Sequence, residues 1–326
     1  MSEAAPVLCV ILAAGKGKRM HSALPKVAHE VLGKPMIGRV VESARSAGLQ
    51  DILAVIGHGK EALLPLLASL RVPWVTQERQ LGTADALRVA IEDRSYSEVL
   101  VLLGDVPLLT AGIIRKLVEE RRSADAAVTV LTSVPPDPSG YGRIVSENGD
   151  IVRIVEERDA GERERCIGEI NTGLMCFDGD PLEGLLAQVA KDNSQGEFYL
   201  TDTISIARST GLRCTGVPAT DWREVMGVND FEQLAEATEH LRKLVIRAHM
   251  ERGVCFADPG GCWVEEGVMI GRNVTVGRLV RLSGRSVIGD GCVLGDGCIV
   301  HDSTLEDGEV LAPFSVLGPS TGGRSG

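Results

Sequence analysis

Aromatic residues are scarce: Phe, Trp and Tyr make up 3% of 326 residues, within a hydrophobic share of 44%. The core must therefore be aliphatic, and stacking platforms for nucleic-acid bases are not expected. Basic residues are also in deficit. With 34 Lys and Arg against 45 Asp and Glu, the formal net charge is −11, which argues against a duplex-binding surface. Any polyanionic substrate must then meet a local basic pocket rather than a global field. The eight cysteines, Cys9, Cys166, Cys176, Cys214, Cys255, Cys262, Cys292 and Cys298, form no C-x-x-C. They read as reduced thiols of a cytoplasmic protein. No apolar run approaches the roughly 20 residues of a membrane span, and no signal peptide precedes the first strand. The expected partners are small molecules, with neither nucleic acid nor membrane among them.

What is present is organised around Val7 to Lys26. The continuous apolar run Val7–Leu12 reads as a strand buried on both faces of a parallel sheet. Ala13, Ala14, Gly15 and Gly17 follow, nearly without side chains, so backbone N–H groups can approach a ligand closely. Lys16, Lys18, Arg19 and Lys26 surround that loop with positive charge. Small residues plus cations after a first strand suit a phosphate chain. The loop is neither a dinucleotide fingerprint, whose third glycine is missing, nor a P-loop.

Strand and helix then alternate. Asp51–Gly57 and Glu98–Leu103 read as buried strands and Val72–Val75 as a short one. Met36–Leu49, Lys60–Leu70 and Gly82–Glu92 read as helical. The alternation predicts a Rossmann-like, doubly wound, mostly parallel α/β sheet. From Ala126 the rhythm changes to strands at Ala126–Thr132 and Ile170–Phe177, a hairpin around Glu147-Asn148-Gly149-Asp150, and a strand at Cys214–Val217. Pro181–Ala190 and Leu200–Arg208 read as helices, and Phe231–Glu251 as a long one.

Past Gly253 an aliphatic position recurs every six residues, at Val264, Ile270, Val276, Leu282, Ile288, Leu294 and Val300. The hexads IGRNVT, VGRLVR, IGDGCV and LGDGCI carry it, usually with Gly next. This period marks a hexapeptide-repeat β-helix, in which each hexad is one short strand and stability comes from stacking coils. After Val300 the register weakens, with Glu306 and Ala312 at the aliphatic position. The expected domains are 1–230, a linking helix 231–252, a short β-helix 253–317 and a disordered tail 318–326.

In an open α/β sheet the ligand lies beyond the carboxyl ends of the strands. The fourth strand runs into Leu103-Gly104-Asp105, where an acidic residue beside a phosphate loop could hold Mg²⁺.

The motifs LAAGKGKRM at 12–20, LPK at 24–26, GHG at 57–59, GDVPL at 104–108, GYGRI at 140–144, IVEERDA at 154–160, EINTG at 169–173, EFYLTD at 197–202 and GVND at 227–230 occur in this order. Together with Q-x4-GT at 77–83 they resemble the sugar nucleotidyltransferases, and in particular the uridylyltransferase half of a bifunctional uridylyltransferase/acetyltransferase family. The resemblance covers Val7 to Val300. It implies a left-handed parallel β-helix after a nucleotidyltransferase type A domain, and synthesis of UDP-N-acetylglucosamine and pyrophosphate from UTP and N-acetylglucosamine 1-phosphate. It implies that Leu12, Ala13, Ala14 and Gly15 line the nucleotide and that Arg19 and Lys26 contact phosphate oxygens. Gln77, Gly82 and Thr83 would read uracil, and Leu103, Gly104 and Asp105 would flank the nucleotide. Asp105 with Asn229 would hold Mg²⁺, and Gly142, Glu156 and Asn171 would contact the sugar. Arg19, Lys26 and Asp105 are then the catalytic set, and trimers through the β-helix are expected.

Two positions depart from the family pattern: Leu103 stands where Tyr is common, and Asp85 where His is common, adding negative charge near the nucleotide. The same motifs fit a relative using another sugar 1-phosphate or nucleotide, or a non-catalytic sugar-nucleotide binder. His301 is the only His in the repeats and does not match the family's acetyltransferase motif, so no acetyl transfer is expected of this chain.

Overall fold

The structure is a computed structural model and describes residues 6–15, 17–94 and 96–319. The chain divides into two compact units, one of residues 6–29 and 35–231, the other of residues 30–34 and 232–319. Among the described residues no helix is long and apolar enough to cross a membrane.

The first unit is a twisted sheet covered on both faces. Its strands are β1 (Val7–Ala13), β2 (Asp51–Ile56), β3 (Trp74–Thr76), β4 (Glu98–Leu103), β5 (Val128–Ser133), β6 (Arg143–Glu147), β7 (Asp150–Val155), β8 (Ile170–Asp178) and β9 (Cys214–Pro218). The order is β9-β5-β8-β4-β1-β2-β3, with β6 and β7 forming a hairpin attached to β8. All pairs along the main order are parallel except those of β8 with β4 and β5, so the sheet is mostly parallel as expected. The helices are α1 (Met36–Ser46), α2 (Lys60–Ser69), α3 (Thr83–Ile91), α4 (Ala111–Ser123), α5 (Gly179–Gln188) and α6 (Asp202–Ser209).

The unbroken apolar run of β1 is explained by burial on both sides. Leu8 and Val10 pack in one layer with Leu87 and Ala90 of α3 and Leu182 of α5. Cys9 and Ile11 pack in the other with Val40 and Val41 of α1, Leu63 of α2 and Leu117 of α4. Alternate side chains of a strand point to opposite faces, so a strand with helices on both sides has no polar face. Glu98, the one charge at the start of β4, is 1% exposed. Arg121 and Arg122 donate to its two oxygens at 2.7 Å each, which supplies the partners a buried carboxylate requires.

The second unit is a left-handed parallel β-helix with the helix α7 (Phe231–Glu251) leading into it. Strands of two or three residues stack in parallel on three faces: Trp263–Val264 on Arg281–Ser283, Met269–Ile270 on Val287–Ile288, and Thr275–Val276 on Val293–Leu294. Val264, Val276, Leu282, Ile288, Leu294 and Val300 are all buried, as a core of stacked hexads demands. Arg242 of α7 is buried and donates to the carbonyls of Pro259 and Cys262 at 2.7 Å. The short pair Glu30–Val31 and Lys34–Pro35 is part of this neighbourhood, with Lys34 Nζ 3.9 Å from Glu266.

The structure corrects the register after Val300. Ile299 still pairs with Arg281, three hexads back, but Val287 pairs with Thr304 and Val293 with Val310. One residue is missing from the corner at 302–303, so the aliphatic position moves to Leu305, Leu311 and Leu317 rather than Glu306 and Ala312. Leu305 is 1% exposed, whereas Glu306 is exposed. The repeat continues; only its phase changes.

All eight cysteines are unpaired. Cys262, Cys292 and Cys298 sit at corners of the repeats, where the thiols of Cys292 and Cys298 donate to the carbonyls of Glu306 and Ala312 at 3.0 and 3.2 Å. Other differences are one whole helix, α4 (Ala111–Ser123), in a stretch to which the sequence reading assigns no element, the boundary of the third strand, Trp74–Thr76, and a helical turn at Glu162–Arg165 and a 3₁₀ turn at Trp222–Val225 that carry no strong periodic signal. Most of the expected disordered tail, residues 320–326, lies outside the described residues.

Candidate active site

The strand order reverses direction between β1 and β4, where the chain runs one way to β2 and β3 and the other way to β8. A crevice must open at the carboxyl ends of two such strands. Leu12 pairs with Leu103, and Gly104 N donates to Leu12 O at 3.0 Å. A cavity of about 460 Å³ lies there, lined among others by Leu12, Ala13, Ala14, Gly15, Lys26 and Asp105. A larger hollow of about 710 Å³ lies near the amino ends of β1 and β2, beside Pro6, Gln50 and Asp51, away from the small-residue loop.

At one end of the crevice Lys26 gathers two groups. Its ammonium pairs with Asp105 and donates to Asn229 Oδ1 at 3.0 Å. Lys26 follows Pro25 at the start of the 3₁₀ turn Lys26–Ala28, whose Val27 and Ala28 are buried. Asp105 is fixed by its position directly after β4, and its carbonyl accepts from Val228 N at 2.8 Å. That bond brings the loop Gly227–Asn229 to the site. Two oxygens from distant parts of the chain thus converge on one cationic centre. Oxygen donors of this kind, one carboxylate and one amide, suit Mg²⁺, which takes few protein ligands and completes its shell with phosphates and water. Among the described residues no group of three or more His, Cys, Asp and Glu could hold a metal by itself.

At the other end lie Gln77, Gly82 and Thr83. Gln77 is 3% exposed; its Nε2 donates to Gly82 O at 3.0 Å and to Asp85 Oδ2 at 2.7 Å. Gly82 has φ +123°, and a Cβ there would lie 2.4 Å from Phe198 O. The close approach lets residues 81–84 bond to 198–200: Phe198 N donates to Leu81 O, Ala84 N to Phe198 O, and Leu200 N to Thr83 Oγ1 at 3.0 Å. The EFYLTD segment is therefore the backing of this end of the cavity.

Gly142, just before β6, Glu156, just after β7, and Asn171 on β8 form a second cluster. Asn171 N donates to Gly142 O at 2.8 Å, and a Cβ on Gly142 would lie 3.0 Å from Ile154 Cγ2 and 3.3 Å from Glu156 Oε2. Asn171 Oδ1 accepts from Gly173 N at 2.9 Å, leaving its Nδ2 to donate. Thr201 Oγ1 donates to Glu156 Oε1 at 3.0 Å. Burial pushes the Glu156 carboxyl above its ordinary value, Thr201 opposes this, and Asp202 and Asp159 add to the rise. Tyr141 links the clusters: burial, with Asp105 nearby, pushes its phenol up to about 12, and Gly227 and Arg19 face it too. Leu103 fills the space over Gly173, where a Cβ would meet it at 2.7 Å.

Not every expected residue lines the cavity. Arg19 is exposed, and Gly104 serves through its backbone bond to Leu12. Lys16 lies outside the described residues. The sequence reading treated Asp85 only as added charge and passed over Thr201, Tyr141, Gln80 and Glu197. Gln80 and Glu197 line the cavity, and Thr201 and Tyr141 stand inside quoted motifs, which was the available signal.

Sheet order, switch-point crevice and stacked hexads together define a nucleotidyltransferase-type α/β unit joined to a hexapeptide β-helix. Residues 9–164 match the family model of the MobA-like NTP transferase domain. The chain is 46% identical over 265 residues to the bifunctional protein GlmU of Brevibacillus brevis, covering 80% of this chain and 57% of that protein. It is 43% identical over 270 residues to the bifunctional protein GlmU of Geobacter sulfurreducens, covering 82% and 57%. The chain thus resembles the nucleotidyltransferase half of these proteins and spans less than two thirds of their length. A solved structure described as a putative glucose-1-phosphate thymidylyltransferase from Bacillus anthracis in complex with a sucrose superposes with a TM-score of 0.59. It is 21% identical and covers 71% of this chain and 94% of its own, a likeness of fold.

Proposed function

We propose that this chain is a sugar-1-phosphate uridylyltransferase that makes UDP-N-acetylglucosamine and pyrophosphate from UTP and N-acetylglucosamine 1-phosphate. The observation that carries the reading is the convergence of Lys26, Asp105 and Asn229 at a switch-point cavity whose far end holds Gln77, Gly82 and Thr83. The likeness to the bifunctional GlmU proteins supports it.

In the reaction a phosphate oxygen of the sugar 1-phosphate attacks the α-phosphorus of UTP in line. The new P–O bond forms as the bond to the β-phosphate breaks, and pyrophosphate carries away the electron pair. The nucleophile is already anionic, so no general base is needed. Lys26 neutralises charge on the phosphates, and Arg19, exposed beside the loop, reaches for them from solvent. The backbone of Ala13, Ala14 and Gly15 leaves room for the nucleotide. Gly142, Glu156 and Asn171 offer carbonyl, carboxylate and amide to the sugar hydroxyls and acetamido group. Asp105 and Asn229 would hold Mg²⁺, which when bound offsets phosphate charge and aligns the reactants.

The proposal extends to a cytoplasmic location and to trimers through the β-helix, for which exposed Val293, Ile299, Val310 and Val316 on its outer faces offer apolar surface. It also holds that this chain transfers no acetyl group: both ring nitrogens of His301 are engaged, by Ser283 Oγ at 3.0 Å and Asp302 Oδ2 at 3.1 Å. The test is pyrophosphate release on incubation with UTP, N-acetylglucosamine 1-phosphate and Mg²⁺. Release that needs both substrates is expected; faster release with another sugar 1-phosphate or nucleotide would reassign the substrate. UDP-sugar binding without any turnover would make the chain a binder rather than an enzyme.

A further inference from the structure

Gln77 has an amide whose two ends differ in what they ask of a partner: the nitrogen donates and the oxygen accepts. Which end faces the cavity decides which base edge can dock. The backbone of Gln77 is held by Gln77 N donating to Ile56 O at 2.8 Å, and its side chain is 3% exposed, so little freedom remains except rotation of the amide.

We propose that Asp85 is a positioning residue that sets this orientation and thereby selects the pyrimidine. Asp85 lies in the first turn of α3, where the helix dipole favours a carboxylate. Its Oδ2 stands 2.7 Å from Gln77 Nε2, and Gly82 O stands 3.0 Å from the same nitrogen. A carboxylate and a carbonyl can only accept. Both amide protons of Gln77 are therefore claimed, and a flipped amide would set its oxygen against two acceptors. Gln77 Oε1 is the end left for a ligand, and Gln77 lines the cavity. An acceptor there fits the N3–H of uracil. It repels cytosine, whose N3 is a bare acceptor. The charge that the sequence marks as a departure is thus spent on an amide.

This inference rests on the uridylyltransferase reading, and the experiment separates the two. Dissociation constants for UTP and CTP, each with Mg²⁺, are measured by calorimetry on the full 326-residue chain and on D85A and D85N. The wild type is expected to prefer UTP. D85A should reduce the UTP-over-CTP ratio about tenfold, the scale of one hydrogen bond to a charged group. D85N, whose Oδ1 still accepts, should keep the ratio within about threefold of wild type. If D85A does not fold, D85S, too short to reach Gln77, takes its place. A D85A chain that binds both nucleotides more weakly by the same factor overturns the role of Asp85 and leaves the uridylyltransferase reading standing. A wild type that binds CTP as tightly as UTP, or binds neither, sinks the uracil pocket and the role of Asp85 with it.

Discussion

Lys26 and Asp105, 79 residues apart in sequence, form an ion pair at the switch point of the sheet. The pair is partly exposed, with 15% and 16% of the side-chain surface accessible. An ammonium thus stands where oxygens from Asp105 and Asn229 meet. On the proposed function, loading a metal–nucleotide complex would turn the ammonium from Asp105 onto phosphate oxygens. The two members of the pair should then matter for turnover more than for folding.

Asp105→Asn should lower the turnover rate about a hundredfold, on the order of 3 kcal/mol of transition-state stabilisation. Lys26→Ala should impair turnover as well. The melting temperature of each should move by only a few degrees, because neither side chain is a core element. Pyrophosphate-release kinetics and calorimetry check this; near-wild-type turnover of Asp105→Asn at limiting Mg²⁺ would exclude the assignment.

Gly82→Ala should abolish nucleotide binding. The residue sits at φ +123°, and its new Cβ would strike the backbone of Phe198. The strained conformation alone costs about 1–3 kcal/mol, and the clash would part residues 81–84 from 198–200. Titration with UTP followed by calorimetry tests it: unchanged affinity would mean that the Phe198 backing does not shape the cavity.

Leu305→Ala should destabilise the β-helix by about 2–5 kcal/mol, as expected for removal of a buried Leu side chain. Glu306→Ala, on an exposed position, should stay within about 0.5 kcal/mol. Urea unfolding of both variants decides the register. Equal destabilisation would restore Glu306 to the inward position.

His249 gives a pH dependence. It is 3% exposed, and burial, with Arg252 beside it, lowers its pKa to about 4. The unfolded chain titrates near 6.5, so between about pH 6.5 and 4 the unfolded state binds the extra proton. Stability from this group is complete above the unfolded value and is lost as pH falls through that window. The full loss is on the order of 3 kcal/mol. In His249→Gln the slope of stability against pH across this window should be reduced; an unchanged slope would assign the acid lability to other groups.

The sheet was legible because β1, β2 and β4 are buried on both faces and so read as unbroken apolar runs, while α1 and α3 carry their apolar faces periodically. The hexads were legible for the same reason in another period. What stayed hidden depends on partners distant in sequence or on a change of phase. Thr201 meets Glu156 across 45 residues, and the backing of Gly82 by Phe198 depends on a glycine whose need for positive φ appears only in three dimensions. The pair Gln77 and Asp85 lies within eight residues, yet nothing in their spacing reveals which atoms face each other. Nor does the sequence show that residues 30–34 group with the later repeats.

The single-residue shortening after Val300 behaves as a slip joint. Strand pairing below it resumes at once on all three faces, from Val287 with Thr304 through Ile299 with Val316. Each flat side of the prism is gauged by its own strand of two or three residues, and chain length is absorbed only where the backbone turns. Such a solenoid can gain or lose residues one at a time at a corner without changing the thickness of a layer. Its ancestry need not be written in multiples of six, and loops could be grafted at residues 302–303 without unstacking the coils on either side.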